Sequence, residues 1–276
     1  MSDSYVVIGN PIGHSQSPFI HHQFAQQLSH DIEYSKLLAP TNSFKASVED
    51  FVKKGGRGAN VTIPFKEQAL EICQVLSEEA RAAGAVNTIT VSKDGTLKGD
   101  NTDGYGLVTD LRLNFGTLQD KRVLILGAGG ATRGCLLPLL KEEVRAIVVA
   151  NRTESKAVAI VNEFNHKKLF SSNFDDLAKE PEFDVIINAT AASLNNDIPA
   201  IPSEVIHVDI HCYDMVYGSK PTAFLEWCRA KGANKVVDGL GMLVHQAAKS
   251  YEIWRNKKPN ASDVLLKLRS KLRETQ

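Results

Sequence analysis

The chain has 276 residues, a length that allows about two domains. Basic and acidic residues balance at 32 each, so no net field favours nucleic acid or an anionic membrane. The four cysteines have no close pair, which argues against a zinc site or a disulfide scaffold. No stretch approaches the roughly 18 apolar residues of a membrane span, and no signal-peptide pattern opens the chain. We therefore expect a cytoplasmic protein with small-molecule ligands and no metal, nucleic-acid or membrane partner.

Short strands alternate with amphipathic helices over the first hundred residues. Apolar residues at helical spacing follow the first strand, and His21 and His22 are expected on the surface of that helix. Pro64 is well placed as the first residue of a helix that runs to Leu76. Asp94-Gly95 is a typical hairpin turn. The predicted strands cover residues 5–8, 32–38 and 59–63, and the predicted hairpin covers 85–99.

A regular alternation of strands and helices follows and predicts a parallel, doubly wound sheet with right-handed crossovers. Its strands are predicted at residues 123–126, 147–150, 184–188, 206–210 and 235–237. Beyond Gly241 the pattern is helical to the end, and we expect these helices to return to the first domain. The fold class is thus α/β with two domains: a discontinuous first domain (1–102 and 242–276) and a doubly wound second domain (103–241). The default ligand site is the cleft between them.

A glycine-rich turn joins the strand at 123–126 to the next helix. It contains Gly127, Ala128, Gly129, Gly130 and Ala131. Bare backbone N–H groups and a helix N-terminus in this arrangement hold a pyrophosphate. The third glycine of the usual dinucleotide fingerprint is replaced by Thr132, so a tight connection without a ligand is the alternative.

The tip of the following strand carries Asn151, Arg152 and Thr153, with Lys156 close behind. Folds that prefer NAD usually place an acidic residue here, to bind the ribose 2′-hydroxyl. An amide, a guanidinium and a hydroxyl suit a 2′-phosphate instead. The sequence therefore predicts NADP as the cofactor, although Arg152 taken alone would also fit a solvated loop cation.

Hydroxyl and amide side chains cluster near strand ends in the first domain, where open α/β sheets bind ligands. Ser15 and Ser17 would share one face of an extended segment, although Ser17 before Pro18 is equally typical of a helix N-cap. Thr62 follows another strand, and Asn87 enters the predicted hairpin. Such groups bind the edges of a polyhydroxylated carboxylic acid.

Lys66 and Asp103 are the candidate chemical groups. Lys66 falls in the first turn of a predicted helix, where the helix dipole disfavours an ammonium, so its position is poor for stability. The alternatives are a solvated surface lysine and an aspartate that only caps the following helix. A carboxylate would favour the protonated lysine while burial and the helix end oppose it, which is the balance that a proton donor needs.

The motifs taken together resemble the shikimate dehydrogenase family, the NADP-linked enzymes of aromatic amino-acid biosynthesis. The resemblance runs essentially end to end. It rests on Gly9-Asn10-Pro11, Ser15-x-Ser17-Pro18, Asn60 through Lys66, Asn87-Thr88, Asp100 through Gly104, Gly127 through Ala131, Asn151-Arg152-Thr153, Tyr213 through Tyr217, and Asp238-Gly239-x-Gly241-Met242-Leu243.

The resemblance implies a reversible hydride transfer between NADPH and 3-dehydroshikimate, giving shikimate. It implies that Lys66 and Asp103 are the catalytic pair. The substrate pocket would be lined by Ser15, Ser17, Thr62, Asn87, Asp103, Tyr217 and Gln246. The cofactor would contact the glycine turn, the tip at Asn151-Arg152-Thr153, Lys156, Met215, Gly239 and Met242. The protein is expected to be a monomer or a homodimer.

Two departures from the family pattern concern the cofactor side. Ala191-Ala192-Ser193 replaces a segment that usually contains glycine, so we expect that loop to differ. Lys156 stands where many relatives have a second arginine, and its point charge would soften the preference for NADP. The alternatives are a quinate/shikimate dehydrogenase that uses NAD and a non-catalytic metabolite sensor.

Overall fold

The computed structural model describes residues 2–274 and divides into two units. The first contains the chain up to Gly106 together with Leu243–Ser270, and the second contains Leu107–Met242 together with the described residues from Lys271 onward. The sequence placed the boundaries at 102/103 and 241/242. The transitions after Gly106 and after Met242 lie inside continuous helices, which a helical sequence pattern does not divide. Asp103 accordingly belongs to the first unit.

The first unit is built on a mixed six-stranded sheet in the order β2-β1-β3-β5-β6-β4. β1 is parallel to β2 and β3, β5 is antiparallel to β3 and β6, and β4 is parallel to β6. Its elements up to the boundary are β1 (Asp3–Gly9), α1 (Ser17–Leu28), β2 (Ile32–Leu38), α2 (Phe44–Lys53), β3 (Gly56–Val61), α3 (Lys66–Ile72), β4 (Val75–Leu76), α4 (Glu78–Ala83), β5 (Thr88–Val91), β6 (Leu97–Asp100) and α5 (Asp103–Phe115).

The second unit has a fully parallel six-stranded sheet in the order β12-β11-β10-β7-β8-β9. This is the doubly wound, Rossmann-type order that the sequence pattern predicts. Its elements are β7 (Arg122–Leu126), α6 (Gly130–Leu140), β8 (Ala146–Ala150), α7 (Glu154–Phe164), β9 (Leu169–Ser172), β10 (Val185–Asn188), β11 (His211–Asp214), α8 (Ala223–Ala230) and β12 (Lys235–Asp238). The two helices that follow, α9 (Leu240–Arg255) and α10 (Ala261–Glu274), lie largely in the first unit.

Strand β7 shows why the strands of this sheet are continuous apolar runs in the sequence. Val123 and Ile125 pack into one buried cluster, whereas Leu124 and Leu126 pack into a second. Successive side chains of a strand point to opposite faces, so both faces are covered. The structure also shows no helix within residues 2–274 with the length and apolar character needed to cross a bilayer.

One predicted helix is shorter than expected, and one predicted strand was wrong. The helix expected from Pro64 to Leu76 begins at Lys66 and ends at Ile72. The strand expected over 206–210 is a loop, and β11 begins only at His211. Ile206 and Ile210 are buried while Val208 is 53% exposed. The loop therefore packs every second apolar side chain on the core, which gives its sequence the same period as a strand.

The prediction that His21 lies on the surface of α1 was wrong, because this residue is completely buried. Its ring stacks on Tyr34, with centroids 4.2 Å apart, and Trp254 and Tyr251 lie on the same cluster at 5.4 and 6.0 Å. Neither ring nitrogen has a hydrogen-bond partner within the described chain. Burial therefore lowers the pKa of His21 to about 3.

This histidine makes the stability of the folded protein depend on pH. The folded state keeps the imidazole neutral down to about pH 3, whereas the unfolded chain binds a proton near pH 6.5. The neutral histidine therefore makes its full contribution to the free energy of unfolding above pH 6.5. As the pH falls this contribution is lost, and at pH 5 the loss is about 2 kcal/mol. We expect urea unfolding at pH 7.5 and pH 5 to show this loss in the wild type and not in His21→Phe. The exposed neighbour provides the control His22→Gln, which should keep the loss; equal pH dependence in all three proteins would contradict the assignment.

Candidate active site

Lys66 and Asp103 form a close ion pair in the first unit. Lys66 is the first residue of α3 and Asp103 is the first residue of α5. The Lys66 Nζ lies 2.6 Å from the Asp103 Oδ2, and the two side chains are 30% and 15% exposed. The helix dipole favours the carboxylate at its position and disfavours the ammonium, so the ion pair compensates a lysine that α3 alone would not stabilise. The pair is partly shielded and still reachable by a ligand.

Asn87 holds the other oxygen of this carboxylate. Its Nδ2 donates to Asp103 Oδ1 at 2.8 Å and to Gln246 Oε1 at 3.4 Å. Its Oδ1 accepts from the backbone N–H of Thr102 at 3.0 Å. Because a backbone N–H can only donate, the amide cannot rotate by 180° without opposing two donors. Asn87 is therefore fixed as a donor to Asp103.

Ser15 and Ser17 present paired hydroxyl groups after β1. Their Oγ atoms are 3.2 Å apart, and the Ser17 N–H donates to Ser15 Oγ at 3.3 Å. Ser17 is the first residue of α1 and not its N-cap, which is Gln16 in the αR region, so the two hydroxyl groups are paired by a helix start and not by an extended segment. Thr62 follows the parallel neighbour β3, and its N–H donates to the Ile8 carbonyl of β1 at 2.9 Å. The three hydroxyl groups thus come from adjoining strand ends.

Sequence patterns did not reveal the buried groups that support this site. The Asn101 Oδ1 accepts from the Asp103 N–H at 3.1 Å, and its Nδ2 donates to the Ala85 carbonyl at 3.0 Å. Ser250 on α9 is fully buried and accepts from Asn60 Nδ2 at 3.0 Å. Asn101 could have been recognised as a residue that accepts from the backbone two residues on. Nothing in the local pattern marks Ser250.

In the second unit, the turn from β7 to α6 is shaped to admit a ligand. Gly127 has φ +104°, which a residue with a side chain rarely adopts. A Cβ added to Gly129 or Gly130 would meet no atom within 4 Å. No side chain caps α6, and its first turn contains no acidic residue. Thr132, which replaces the third glycine, is buried and donates from Oγ1 to the Gly127 carbonyl at 2.7 Å, so it closes the turn itself.

The tip after β8 lies in the same unit and opens on a cavity of about 520 Å³. Asn151 and Arg152 line this cavity together with Thr190, Ala191 and Ala192. Arg152, Thr153 and Lys156 are exposed, and no ion pair between described residues occupies Arg152 or Lys156. The Asn151 Nδ2 donates to the Thr153 carbonyl at 2.8 Å, which shapes the tip. A guanidinium without an ion-pair partner at the rim of this cavity can bind an anion.

The remaining cofactor candidates follow β11 and β12. An added Cβ on Gly239 would lie 2.1 Å from the Met215 carbonyl oxygen, so the close contact between these two segments requires glycine. Met215, Tyr217 and Met242 are partly exposed residues of the second unit, whereas Gln246 belongs to the first. Ser193, in the segment that departs from the family pattern, donates to the buried Asp214 carboxylate at 2.6 Å.

Comparison with known protein families gives three matches along the chain. Three family models match: the shikimate dehydrogenase substrate binding domain over residues 7–89, shikimate / quinate 5-dehydrogenase over 111–197, and the shikimate 5′-dehydrogenase C-terminal domain over 239–265. A shikimate dehydrogenase (NADP(+)) from Colwellia psychrerythraea is 53% identical over 98% of both chains. The chain belongs to the shikimate dehydrogenase family.

Solved structures of this family and its neighbours share the fold. An Ael1 enzyme from Pseudomonas putida is 41% identical with a TM-score of 0.92, covering 97% of this chain and 98% of that one. Shikimate 5-dehydrogenase from Thermus thermophilus, solved in complex with NADP(H) and shikimate, is 31% identical with a TM-score of 0.86, covering 97% and 99%. The order of strands and helices is thus that of shikimate dehydrogenases.

Proposed function

We propose that this protein is an NADP-dependent shikimate dehydrogenase that reversibly reduces 3-dehydroshikimate to shikimate. The observation that carries the proposal is the 2.6 Å contact between Lys66 and Asp103 at the start of two helices. The 53% identity to a shikimate dehydrogenase (NADP(+)) over nearly the whole chain supports the substrate and the cofactor. The first unit would carry the substrate and the catalytic pair, and the second would carry NADP.

The residues of the second unit fit the cofactor. Open space beside Gly129 and Gly130 and the uncapped start of α6 suit a pyrophosphate, together with Gly127, Ala128 and Ala131. Arg152, with Asn151, Thr153 and Lys156, would hold the 2′-phosphate, because the tip has a free cation in place of an acidic residue. Met215, Gly239 and Met242 would contact the nicotinamide half. When bound, NADP(H) supplies or accepts the hydride at the ring carbon.

The chemistry left to the protein is the movement of one proton. As the substrate carbonyl becomes an alkoxide, its oxygen needs a donor, and Lys66 Nζ supplies that proton. Asp103 keeps the ammonium in place through its Oδ2. Asn87 donates to the other oxygen of Asp103, so the carboxylate keeps its orientation while the proton leaves and returns. The reverse reaction uses the same lysine as a base.

The other polar groups of the first unit would bind the substrate. Ser15 and Ser17 would hold the carboxylate, because two hydroxyl groups 3.2 Å apart match its two oxygens. Thr62, Asn87 and Gln246 would hydrogen-bond ring hydroxyls, and Tyr217 is proposed to bind the substrate too. We place the reaction in the cytoplasm, in keeping with four free cysteines, and propose a monomer or a homodimer.

A spectrophotometric assay tests this function. The purified chain is given shikimate or quinate with NADP or NAD, and the absorbance of the reduced nicotinamide is followed. We expect the highest kcat/KM with shikimate and NADP. A preference for quinate and NAD would instead assign a quinate/shikimate dehydrogenase, and no absorbance change with any pair would indicate a metabolite sensor.

A further inference from the structure

Asp110 is a buried carboxylate that the proposed reaction does not use. It lies on α5 within the second unit and is 2% exposed. The Tyr213 hydroxyl of β11 donates to its Oδ2 at 2.7 Å, and the Asn114 Nδ2, one turn further along α5, donates to its Oδ1 at 2.9 Å. A charged group in such a place costs free energy, so its presence needs an explanation.

The carboxylate lies against the first turn of α9. A Cβ added to Gly241 would be 2.1 Å from the Asp110 Oδ1, so only glycine allows this approach. The Met242 N–H also faces this carboxylate and lowers its pKa. Asp238 caps the turn from its other side by accepting from the Leu240 N–H at 3.2 Å. The start of α9 is thus held by two carboxylates from two different elements, as the helix dipole favours.

This arrangement explains the spacing of the motif Asp238-Gly239-x-Gly241-Met242. Asp238 caps the helix, Gly239 admits the Met215 backbone, and Gly241 admits Asp110. Gly239 and Met242, the two residues assigned to the cofactor, lie on either side of the residues that Asp110 and Asp238 hold. Their position therefore depends on the anion beneath the turn.

We propose that Asp110 is a positioning residue for NADP: it fixes the first turn of α9 so that Gly239 and Met242 are held ready for the nicotinamide half of the cofactor. This rests on the proposed function in its assignment of those two residues. Tyr213 is the partner that holds the carboxylate from β11. Asn114 donates to the carboxylate from one turn further along the same helix.

The ionised form of Asp110 accepts from Asn114 and Tyr213 with its two oxygens and is the form that the start of α9 favours. Burial raises the pKa of Asp110 to about 6, with the negative charge of Asp238 adding to the rise and the Tyr213 hydrogen bond opposing it. The groups that face it are Tyr213 from β11 and Asp238 from β12, with Asn114 on its own helix. Burial also raises the pKa of Tyr213, so that hydroxyl does not titrate in this range.

The test is the dissociation constant of NADPH, measured by titration calorimetry without shikimate. At pH 8 we expect Asp110→Asn to bind NADPH about tenfold more weakly than the wild type. At pH 5.5 the ratio of the two constants should fall to about threefold, because the wild type is then mostly protonated at Asp110. The ratio is used because the 2′-phosphate itself titrates near pH 6 and affects both proteins equally.

Two further variants make the result decisive. Tyr213→Phe should weaken NADPH binding about threefold at pH 8, whereas Asn114→Ala should bind like the wild type. If Asp110→Asn does not fold, the NADPH dissociation constants of Tyr213→Phe and Asn114→Ala still test the proposal. Unchanged NADPH binding in Asp110→Asn or in Tyr213→Phe, or equal losses in all variants at both pH values, would overturn the proposal. A wild type that binds NADPH but does not turn over shikimate would contradict the proposed function alone.

Discussion

Replacing Lys66 by alanine should lower kcat for shikimate oxidation by about three orders of magnitude while KM changes only a few-fold. The magnitude is that of a lost general acid–base group, about 10²–10⁴-fold. KM should change little because the carboxylate and ring hydroxyls of the substrate are assigned to other side chains. Steady-state kinetics with NADP in excess measures both constants.

Two lysine variants separate proton transfer from charge. Lys66→Arg keeps a cation able to bond Asp103, but a guanidinium does not release its proton near neutral pH, so kcat should fall nearly as far as in Lys66→Ala. Lys93→Ala removes an exposed lysine at the hairpin turn of the same unit and should leave both constants unchanged. A Lys66→Arg enzyme with nearly full activity would contradict a proton-donor role for Lys66.

Arg152→Ala should reduce the selectivity for NADP over NAD by about 10- to 100-fold. A hydrogen-bonded contact to a charged group is worth about 1.5–3 kcal/mol, and only NADP carries the phosphate that Arg152 would bind. The kcat/KM for NADP should therefore fall while that for NAD stays constant. The remaining charge of Lys156 sets a limit to the loss.

Arg145→Ala provides the matched control for the cofactor prediction. Arg145 precedes β8 at the end opposite Arg152, where it pairs with Asp184 at 3.5 Å. Its removal should change neither cofactor's kcat/KM. An equal fall of kcat/KM with NADP and with NAD in Arg152→Ala would show that the side chain supports the loop and does not bind the 2′-phosphate.

The parts of the molecule that local sequence predicts are those set by local forces. The strand, glycine turn and helix at 122–140 follow from an apolar run, glycines and a helical repeat, and the parallel order of the second sheet follows from the regular alternation. The hairpin at β5 and β6 follows from Asp94-Gly95, where Gly95 has φ +86°. Lys66 was conspicuous because its position on a helix is unfavourable.

The parts that local sequence does not predict depend on neighbours distant in the chain. His21 is buried because Tyr34 and Trp254 cover it, and α1 alone carries no sign of either. Asp110 lies in an ordinary amphipathic helix, and only Gly241 and Tyr213 reveal what it holds. The loop at 206–210 has the period of a strand because its apolar residues pack on a core that the period does not describe.

A double-mutant cycle on Lys66 and Asp103 measures whether the two side chains act as one catalytic unit. Lys66→Ala, Asp103→Asn and the double variant are compared with the wild type by kcat for shikimate and NADP. Because the lysine and the carboxylate touch at 2.6 Å and serve one proton transfer, the double variant should lose no more than about the thousandfold expected for Lys66→Ala alone. Losses that multiply, so that the double variant falls by the product of the two single effects, would show that the residues act independently and would contradict the account.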